Sequence, residues 1–431
     1  MVHAVSIWRQ PSISFVEPRR IAWSIAGMAV VMAWIVIQTV PWLPSTMQNP
    51  LYPLAAEALG YPIAGRIAID AELALTALLR LLTYCAVFWI AFQSGRETEN
   101  ARKLYYWIVC GASFYALYGL FSETISGSCD VLGLRKLPIG RTDCLLSSTF
   151  VNSNSYATYA GLCILVGLSI LISAFHHENQ ERYGNSATFR TLLKICGTRH
   201  GLVLVVIALV LTTLLISGSR GGIASTLIGV FILFHLMVAR KLKYPSGFFG
   251  VYSGVFIVMI SMAALFGRHI FDKTTGMEHQ INDRVGLLEI AIKAIASEPW
   301  LGWGFGSFEW QFAVFQEPWQ MVYQNKAHCT ILEMVADLGI PVATILFLAV
   351  ALVIRRTFIG ATTRQRDSCY SAVAAAASVL VLLHGFVDFS LQIPGVAVLY
   401  AALLGTGCAQ SWSSRNKPPG AAVNVPLPAL L

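Results

Sequence analysis

The chain has 431 residues, of which 56% are hydrophobic and 12% are charged, and its formal net charge is +8. So few charged residues exclude an ordinary water-soluble domain, in which about 25% of the residues are charged. The positive charge does not indicate a nucleic acid as partner, because the cations lie between apolar runs and form no basic face on a soluble domain.

The apolar residues are grouped into ten runs that have the length of membrane-spanning helices. A helix needs about 20 apolar residues to cross roughly 30 Å of hydrocarbon. The sequence therefore predicts an all-α polytopic bundle in a lipid bilayer. The predicted spans are residues 21–40, 70–92, 104–121, 155–174, 201–217, 221–238, 247–265, 330–353, 370–387 and 391–409.

The orientation of the bundle follows from its cations. If the N-terminus is inside, Lys and Arg are enriched in the cytoplasmic segments, and short loops rich in these residues resist translocation. We therefore expect both termini in the cytoplasm, with residues 41–69, 122–154 and 266–329 on the outer side. We divide the chain into N-terminal helices (1–140), a membrane domain (141–409) that includes the long outer loop, and a tail (410–431).

The long outer loop contains two recognisable patterns. Residues 283–297 have helical periodicity, with Asn282 or Asp283 as N-cap and Pro299 just beyond the end. This segment is too short and too charged to span, so we expect it to lie along the membrane surface. Glycines alternate with aromatic residues over 300–310, which is typical of an interfacial belt or a sugar-stacking surface.

The cysteines and the phosphate motifs limit the chemistry. Cys129 and Cys144 share one outer loop, where they either form a disulfide or remain two thiols. No cysteine or histidine spacing indicates a metal site. The Gly-rich loop of an ATP-driven motor is absent, so we expect no cofactor and infer that the energy comes with the substrate.

Two arginines are candidates for binding phosphate. Arg220 ends the fifth predicted span in the segment ISGSRGG, where neighbouring glycines leave the backbone open. A guanidinium binds phosphate oxygens bidentately and needs no metal to neutralise a diphosphate. Arg284 opens the predicted interfacial helix, whose terminal N–H groups favour an anion. The alternative is that Arg220 does not bind phosphate. Its side chain would then only extend from a helix end to the polar membrane interface.

His328 lies at the outer mouth of the eighth predicted span, where an imidazole can accept a proton from a sugar hydroxyl. A lone interfacial histidine is also compatible with a structural hydrogen bond. Glu333 and Asp337 follow on one helical face, and ionisable residues at membrane depth indicate a cavity or a partner.

Five further ionisable residues stand at or near predicted spans. His384 and Asp388 are four residues apart, which predicts a hydrogen bond between them. Arg80 lies inside the second span and requires a partner. Asp70 and Glu72 form an acidic pair at the start of that span, compatible with a cation site or a catalytic base, although helix-capping carboxylates are commoner there.

Five segments, taken together, resemble the O-antigen ligase and polymerase superfamily of bacterial membrane proteins. They are FVNSNSYATYAG (150–161), SGSRGG (217–222), DRVGLLEIAIKAIASEPWLGWGFGSF (283–308), AHCTILEMVADLG (327–339) and HGFVDFSLQIP (384–394). The resemblance implies a metal-independent glycosyltransferase of the GT-C type. It would move a glycan from undecaprenyl diphosphate to an acceptor hydroxyl on the outer face of the bacterial inner membrane.

The resemblance also implies roles for individual residues. Arg220 and Arg284 correspond to the diphosphate-binding arginines of the family, and His328 corresponds to its functional histidine, the base for the acceptor. Where the family often has Asn after that histidine, this chain has Cys329, and an Asn-Ser-Asn loop replaces the common Asn-Arg-Asn. The candidate substrate-binding residues are Arg220, Arg284, Asn152, Asn154, Asp337 and Asp388.

Three functions remain open. A polymerase extends a glycan on its lipid carrier, and the first 140 residues favour this function because they resemble surface-polysaccharide polymerases. A ligase joins the finished glycan to the lipid A core or to a protein. A polysaccharide flippase or transporter is expected to have repeated halves and polar groups near the membrane midplane, whereas the candidate groups here cluster at the outer side.

Overall fold

The computed structural model describes residues 18–41, 43–126, 130–131, 134–135, 145–150, 152–180, 197–238, 277–317 and 324–412. The regular secondary structure within these residues is helical, apart from one antiparallel pair of short strands, β1 (Asp130–Val131) and β2 (Leu134–Arg135). The predicted span 247–265 and the two cysteines at 129 and 144 lie outside the described residues, so the disulfide stays a prediction.

Thirteen α-helices make up the described part of the chain. The first seven are α1 (Ala22–Gln38), α2 (Leu51–Leu59), α3 (Ala71–Ser94), α4 (Thr98–Ser126), α5 (Ser153–Gln180), α6 (Arg199–Ile216) and α7 (Arg220–Met237). The other six are α8 (Met277–Ser297), α9 (Phe308–Phe315), α10 (Thr330–Leu338), α11 (Ile340–Thr363), α12 (Ser368–Gly385) and α13 (Pro394–Ala409).

Most of these helices have the length and composition of membrane spans. Eight helices in the described part of the chain, α1, α3 to α7, α11 and α12, are long and apolar enough to cross a membrane, and α13 is a shorter apolar helix. The prediction of an all-α polytopic bundle is confirmed, and the chain is a multi-pass membrane protein. The short helix α2, which ends at Gly60 in the left-handed conformation, was not predicted.

Helix α12 lies at the centre of the bundle. It packs against α5, α7, α11 and α13, and residues 370–378 are all buried. Small side chains let helices approach closely, which matters in lipid because apolar burial no longer drives association there. A Cβ atom at Gly407 of α13 would lie only 2.2 Å from the Cβ of Ala374, so glycine is required at this helix contact.

The predicted span 330–353 is wrong at its start. Residues 330–338 form the separate helix α10, and the chain turns at Gly339 before α11 begins. Gly339 has φ +77°, and an added Cβ would lie 2.3 Å from the carbonyl oxygen of Trp300. Both the conformation and the close contact exclude other residues, so this glycine separates the two helices.

The ends of several helices meet at one end of the bundle. The end of α1 reaches α10, because Gln38 donates a hydrogen bond to the carbonyl of Asp337 at 2.9 Å. The start of α3 reaches the loop before α9, where the N–H of Ile69 bonds the carbonyl of Trp303. The candidate residues gather at this end.

Candidate functional site

A buried carboxylate, Asp388, is the centre of a polar network between α5, α10 and α12. Its Oδ1 accepts a hydrogen bond from Asn154 Nδ2 at 3.0 Å and lies 3.7 Å from His328 Nδ1. Its Oδ2 accepts a hydrogen bond from Ser390, and its carbonyl accepts one from Thr330 at 3.0 Å. The network joins residues that are more than 200 positions apart in the chain.

The partners of Asp388 keep it ionised. Burial by itself would raise the pKa of this carboxyl group, but the neighbouring imidazole of His328 and the donors from Ser390 and Asn154 outweigh it. The net effect is a pKa below the usual range. A stable negative charge therefore faces His328.

His328 has the geometry of an oriented base. Its backbone is left-handed, with φ +53°, and its ring meets Phe389 edge-on with centroids 4.8 Å apart. The Nδ1 atom is buried and faces Asp388, at an ion-pair distance rather than a hydrogen-bond distance. A carboxylate in this position favours the tautomer with the proton on Nδ1, which leaves the lone pair of Nε2 available.

A buried ion pair holds the segment before His328. Glu333 of α10 is fully buried, and its two carboxylate oxygens accept hydrogen bonds from Lys326 Nζ and the N–H of Ala327, both at 2.9 Å. These two donors immediately precede His328 in the chain. Glu333 thereby fixes the approach of the chain to the histidine, and a partner for this carboxylate was expected from the sequence.

Asn154 connects this network to the N-terminus of α7. Its Oδ1 accepts a hydrogen bond from Ser219 Oγ at 2.7 Å, and its own N–H bonds Asn152 Oδ1 at 2.7 Å. Ser219 is the N-cap of α7 and accepts from the N–H of Gly222 at 3.2 Å. The first residue of that helix is Arg220, which is exposed. A helix N-terminus favours anions, so Arg220 is well placed for one.

His384 has a structural role. Its Nδ1 is 2.6 Å from Thr158 Oγ1, and a Cβ added to Gly221 would lie 3.0 Å from the imidazole ring. The predicted hydrogen bond between His384 and Asp388 is wrong, because α12 ends at Gly385 and the two residues are not one helical turn apart.

The two arginines differ in position from what the sequence predicted. Arg220 begins α7 rather than ending the preceding span, because the chain reverses at Gly218, which has φ +64°. Arg284 is exposed and lies about two turns inside α8, which begins at Met277, so the argument from helix-terminal N–H groups fails for it. The charge of Arg284 nevertheless acts on His384, which places it near the network.

Comparison with known proteins finds a family match for part of the chain. Residues 203–348, about a third of the 431 residues, match the family model described as O-antigen ligase. The match supports a similarity to the O-antigen ligase and polymerase superfamily. No curated protein matches the chain. The matched segment contains Arg220, Arg284 and His328, whereas Asn154 and Asp388 lie outside it.

The match indicates a general type of activity. A protein of the O-antigen ligase family is an enzyme of the glycosyltransferase or ligase type. The described part of this chain also has eight helices that are long and apolar enough to cross a membrane.

Asp337 lies in a second network. Its carboxylate accepts hydrogen bonds from the N–H of Gly306 at 2.7 Å and from Gln311 Nε2 at 2.8 Å, and the side chain is fully buried. Burial and the charge of Glu333 raise the pKa of Asp337 to about 8. The carboxylate holds the glycine-rich loop 302–307 and is not part of the Asp388 network. Its predicted contact with substrate stays a prediction.

The aromatic segment 300–310 is largely a packing element. Trp303 and Phe308 are buried against α8 and α10, and Phe305 is buried in a cluster with residues of α1, α3, α10 and α11. Trp300 and Trp310 are exposed. The expectation of an interfacial or sugar-stacking surface is therefore wrong for the three buried rings.

The predicted interfacial helix also uses its apolar face inside the protein. Leu287, Ile290 and Ala291 of α8 pack against Phe308 and Phe312 of α9. The predicted N-caps Asn282 and Asp283 are wrong, since α8 begins before them.

The remaining ionisable candidates lie elsewhere. Asp70 is the N-cap of α3, where it accepts from the N–H groups of Glu72 and Leu73, and it also accepts from Trp310 at 3.3 Å. Arg80 is exposed on the same helix. In the described part of the chain, no group of three or more His, Cys, Asp or Glu residues has the geometry of a metal site.

Sequence reasoning missed three members of the site. Ser219, Thr330 and Ser390 provide hydrogen bonds within the network. The sequence indicated only Ser219, because serine is one of the preferred N-cap residues at the start of a helix.

Proposed function

We propose that the protein transfers a glycan from an undecaprenyl-diphosphate donor to an acceptor hydroxyl, and thereby extends a surface polysaccharide. The supporting observation is that the His328–Asp388 pair shares one hydrogen-bonded network with the helix end that carries Arg220. This arrangement supplies a base and an anion site next to each other.

The donor side of the reaction uses the two arginines. Arg220 binds the diphosphate at the N-terminus of α7, where its guanidinium and the helix N–H groups act on the same anion. Arg284 supplies a second positive charge from α8. Two cations neutralise a diphosphate without a metal ion, and they stabilise the charge that develops on the leaving group.

The acceptor side uses His328. The acceptor hydroxyl oxygen attacks the anomeric carbon of the donor glycan, and the bond from that carbon to the diphosphate oxygen breaks. His328 Nε2 accepts the hydroxyl proton, while undecaprenyl diphosphate leaves with the bonding electron pair. Asp388 stabilises the imidazolium that forms and holds the ring in place.

The site faces the periplasm in this proposal. The enrichment of Lys and Arg in the loops at the opposite end of the bundle favours a cytoplasmic location for that end and for both termini. A donor that is already activated by its diphosphate then needs no ATP.

The polymerase is preferred over two alternatives. A ligase that acts on the lipid A core or on a protein would use the same donor chemistry, and the preference rests on the resemblance of the N-terminal helices to polymerases. A flippase is disfavoured, because the network lies at one end of the bundle and not at its middle.

Reconstitution tests the proposal directly. The purified protein receives an undecaprenyl-diphosphate oligosaccharide, and the products are sized on a gel. A ladder identifies a polymerase, and a single shifted acceptor identifies a ligase. Transport of the donor across the bilayer without any new glycosidic bond would overturn the proposal.

Variants assign the roles. Arg220→Ala or Arg284→Ala should weaken donor binding and slow transfer by roughly 10- to 150-fold, since each removes charged hydrogen bonds of about 1.5–3 kcal/mol. Arg→Lys should rescue only in part because an ammonium group lacks the fork geometry. Lys293→Gln is the matched control on α8, because Lys293 is paired with Glu317.

The histidine variant separates binding from chemistry. His328→Ala should bind the donor normally and transfer about 10²- to 10⁴-fold more slowly if His328 is the general base. Full activity of this variant at normal expression would remove His328 from the mechanism.

A further inference from the structure

Three arginines and a tryptophan gather at the end of the bundle opposite to His328. Arg20 and Arg356 place their guanidinium carbons 5.4 and 4.5 Å from the ring centroid of Trp412. The exposed Arg355 is adjacent to Arg356, and its charge acts on it. These four residues are the Trp412 cluster. Because Arg20 and Arg356 share one ring, they lie within about 10 Å of each other, which is one Debye length at 0.1 M salt.

The position of the cluster follows from two helices. Arg20 precedes α1, whose other end carries Gln38 next to α10. At 1.5 Å per residue, this separates Arg20 from Gln38 by roughly 27 Å. Arg356 lies roughly 24 Å along α11 from its start at Ile340. The cluster is therefore one bilayer thickness away from the Asp388 network.

The charges of the cluster are not neutralised by any carboxylate in the described part of the chain. Among the residues that the structure describes, no carboxylate lies within ion-pair distance of Arg20, Arg355 or Arg356. Arg356 donates one hydrogen bond to the carbonyl of Ser411, but its Nε is buried and has no acceptor. Arg364 at the same end has a carboxylate at 3.9 Å, from Asp367. The Trp412 cluster has no such anion among the described residues.

Exposed apolar side chains border the cluster. Trp23, one turn after Arg20, is 82% exposed, and Leu352, one turn before Arg356, is 44% exposed. The cations and the apolar side chains thus lie one helical turn apart along the helices. This arrangement matches a molecule that has an anionic head group and hydrocarbon chains. Inorganic phosphate would use only the cations.

We propose that the Trp412 cluster binds the phosphate of an anionic glycerophospholipid, whose acyl chains lie along Trp23 and Leu352. Arg20 and Arg356 hold the phosphate oxygens. Trp412 keeps the two guanidinium groups together through cation–π contacts. The site does not depend on the transfer reaction at the other end of the bundle.

Native mass spectrometry of the detergent-purified protein tests the proposal, with phosphatidylglycerol as probe. Arg20→Gln and Arg356→Gln should each weaken binding about fivefold, the usual factor for one arginine at an anionic membrane surface. Arg20→Lys should keep most of the affinity. Arg102→Gln is the matched control, because Arg102 is also exposed but pairs with Glu99.

Two further probes distinguish the source of the phosphate. Phosphatidylcholine should bind more weakly than phosphatidylglycerol, and millimolar inorganic phosphate should not displace the lipid. Equal binding of both lipids, full displacement by inorganic phosphate, or unchanged affinity in Arg20→Gln would each overturn the proposal. Arg20 is exposed, so that variant should keep the melting temperature of the wild type and remain informative if Arg356→Gln does not fold.

Discussion

Replacing Glu333 with Gln should slow transfer without weakening donor binding. The substitution keeps the shape of the side chain but removes the charge that accepts from Lys326 and the N–H of Ala327. Loss of one partner of a fully buried pair costs about 3–5 kcal/mol, and a charged hydrogen bond contributes about 1.5–3 kcal/mol. The lower range applies because the side chain of Lys326 is 21% exposed and water compensates part of the lost charge.

This penalty falls on the segment that carries His328. If the segment is displaced, about 1.5–3 kcal/mol reduces the fraction of enzyme with the imidazole in place by roughly 10- to 150-fold. Single-turnover transfer at saturating donor measures this fraction, and equilibrium donor binding is measured separately. Glu289→Gln is the control, because Glu289 is an exposed carboxylate on the neighbouring helix α8.

A wild-type transfer rate in Glu333→Gln would refute the reasoning. Weakened donor binding with normal transfer would also contradict it, since Glu333 is placed to act through His328. The double variant Glu333→Leu with Lys326→Met should recover part of the stability, because removing both charges is less costly than leaving one unpaired.

Three further predictions concern the two networks and the turn between helices. Asp388→Asn should lower the rate of single-turnover transfer by about 10²-fold or more, because His328 loses the carboxylate that orients its imidazole ring. The pKa of Asp337 is raised to about 8 in the folded protein. The protonated side chain therefore stabilises the folded state at low pH, and this stabilisation is lost as the pH rises through 8. The melting temperature, followed by tryptophan fluorescence, should depend less on pH in Asp337→Asn than in the wild type. Gly339→Ala should lower the melting temperature strongly, because the added Cβ would meet the carbonyl of Trp300 at 2.3 Å in a left-handed backbone, and Ile340→Ala is the exposed control beside it.

Much of the fold could be predicted from one physical quantity, the length of each apolar run. That quantity gives helices that match the hydrocarbon thickness, and it explains why α3 to α7 lie where expected. It fails at Gly339, because hydropathy is continuous across residues 330–353 while the close contact with Trp300 breaks the helix. A contact between distant segments leaves no local signal in the sequence.

The candidate site illustrates the same limit. The side-chain types of Arg220 and His328 indicated their chemistry before any contact was known. The partner of His328 did not follow from spacing, because the nearest match by spacing was His384 with Asp388, and the helix ends between them. Asn154 and Asp388 are 234 residues apart, and only the packing of α5 against α12 brings them together.

The division of the network between segments has an evolutionary and practical consequence. The residues proposed as base and phosphate ligands lie within 203–348, but the carboxylate that faces the base and the amide that holds this carboxylate lie on either side of it. A hybrid enzyme made by exchanging only that segment between two relatives would combine a histidine from one parent with an aspartate from the other. Such hybrids should work only if α5 and the 388–390 turn are exchanged together with that segment, so these parts of the chain form one functional unit.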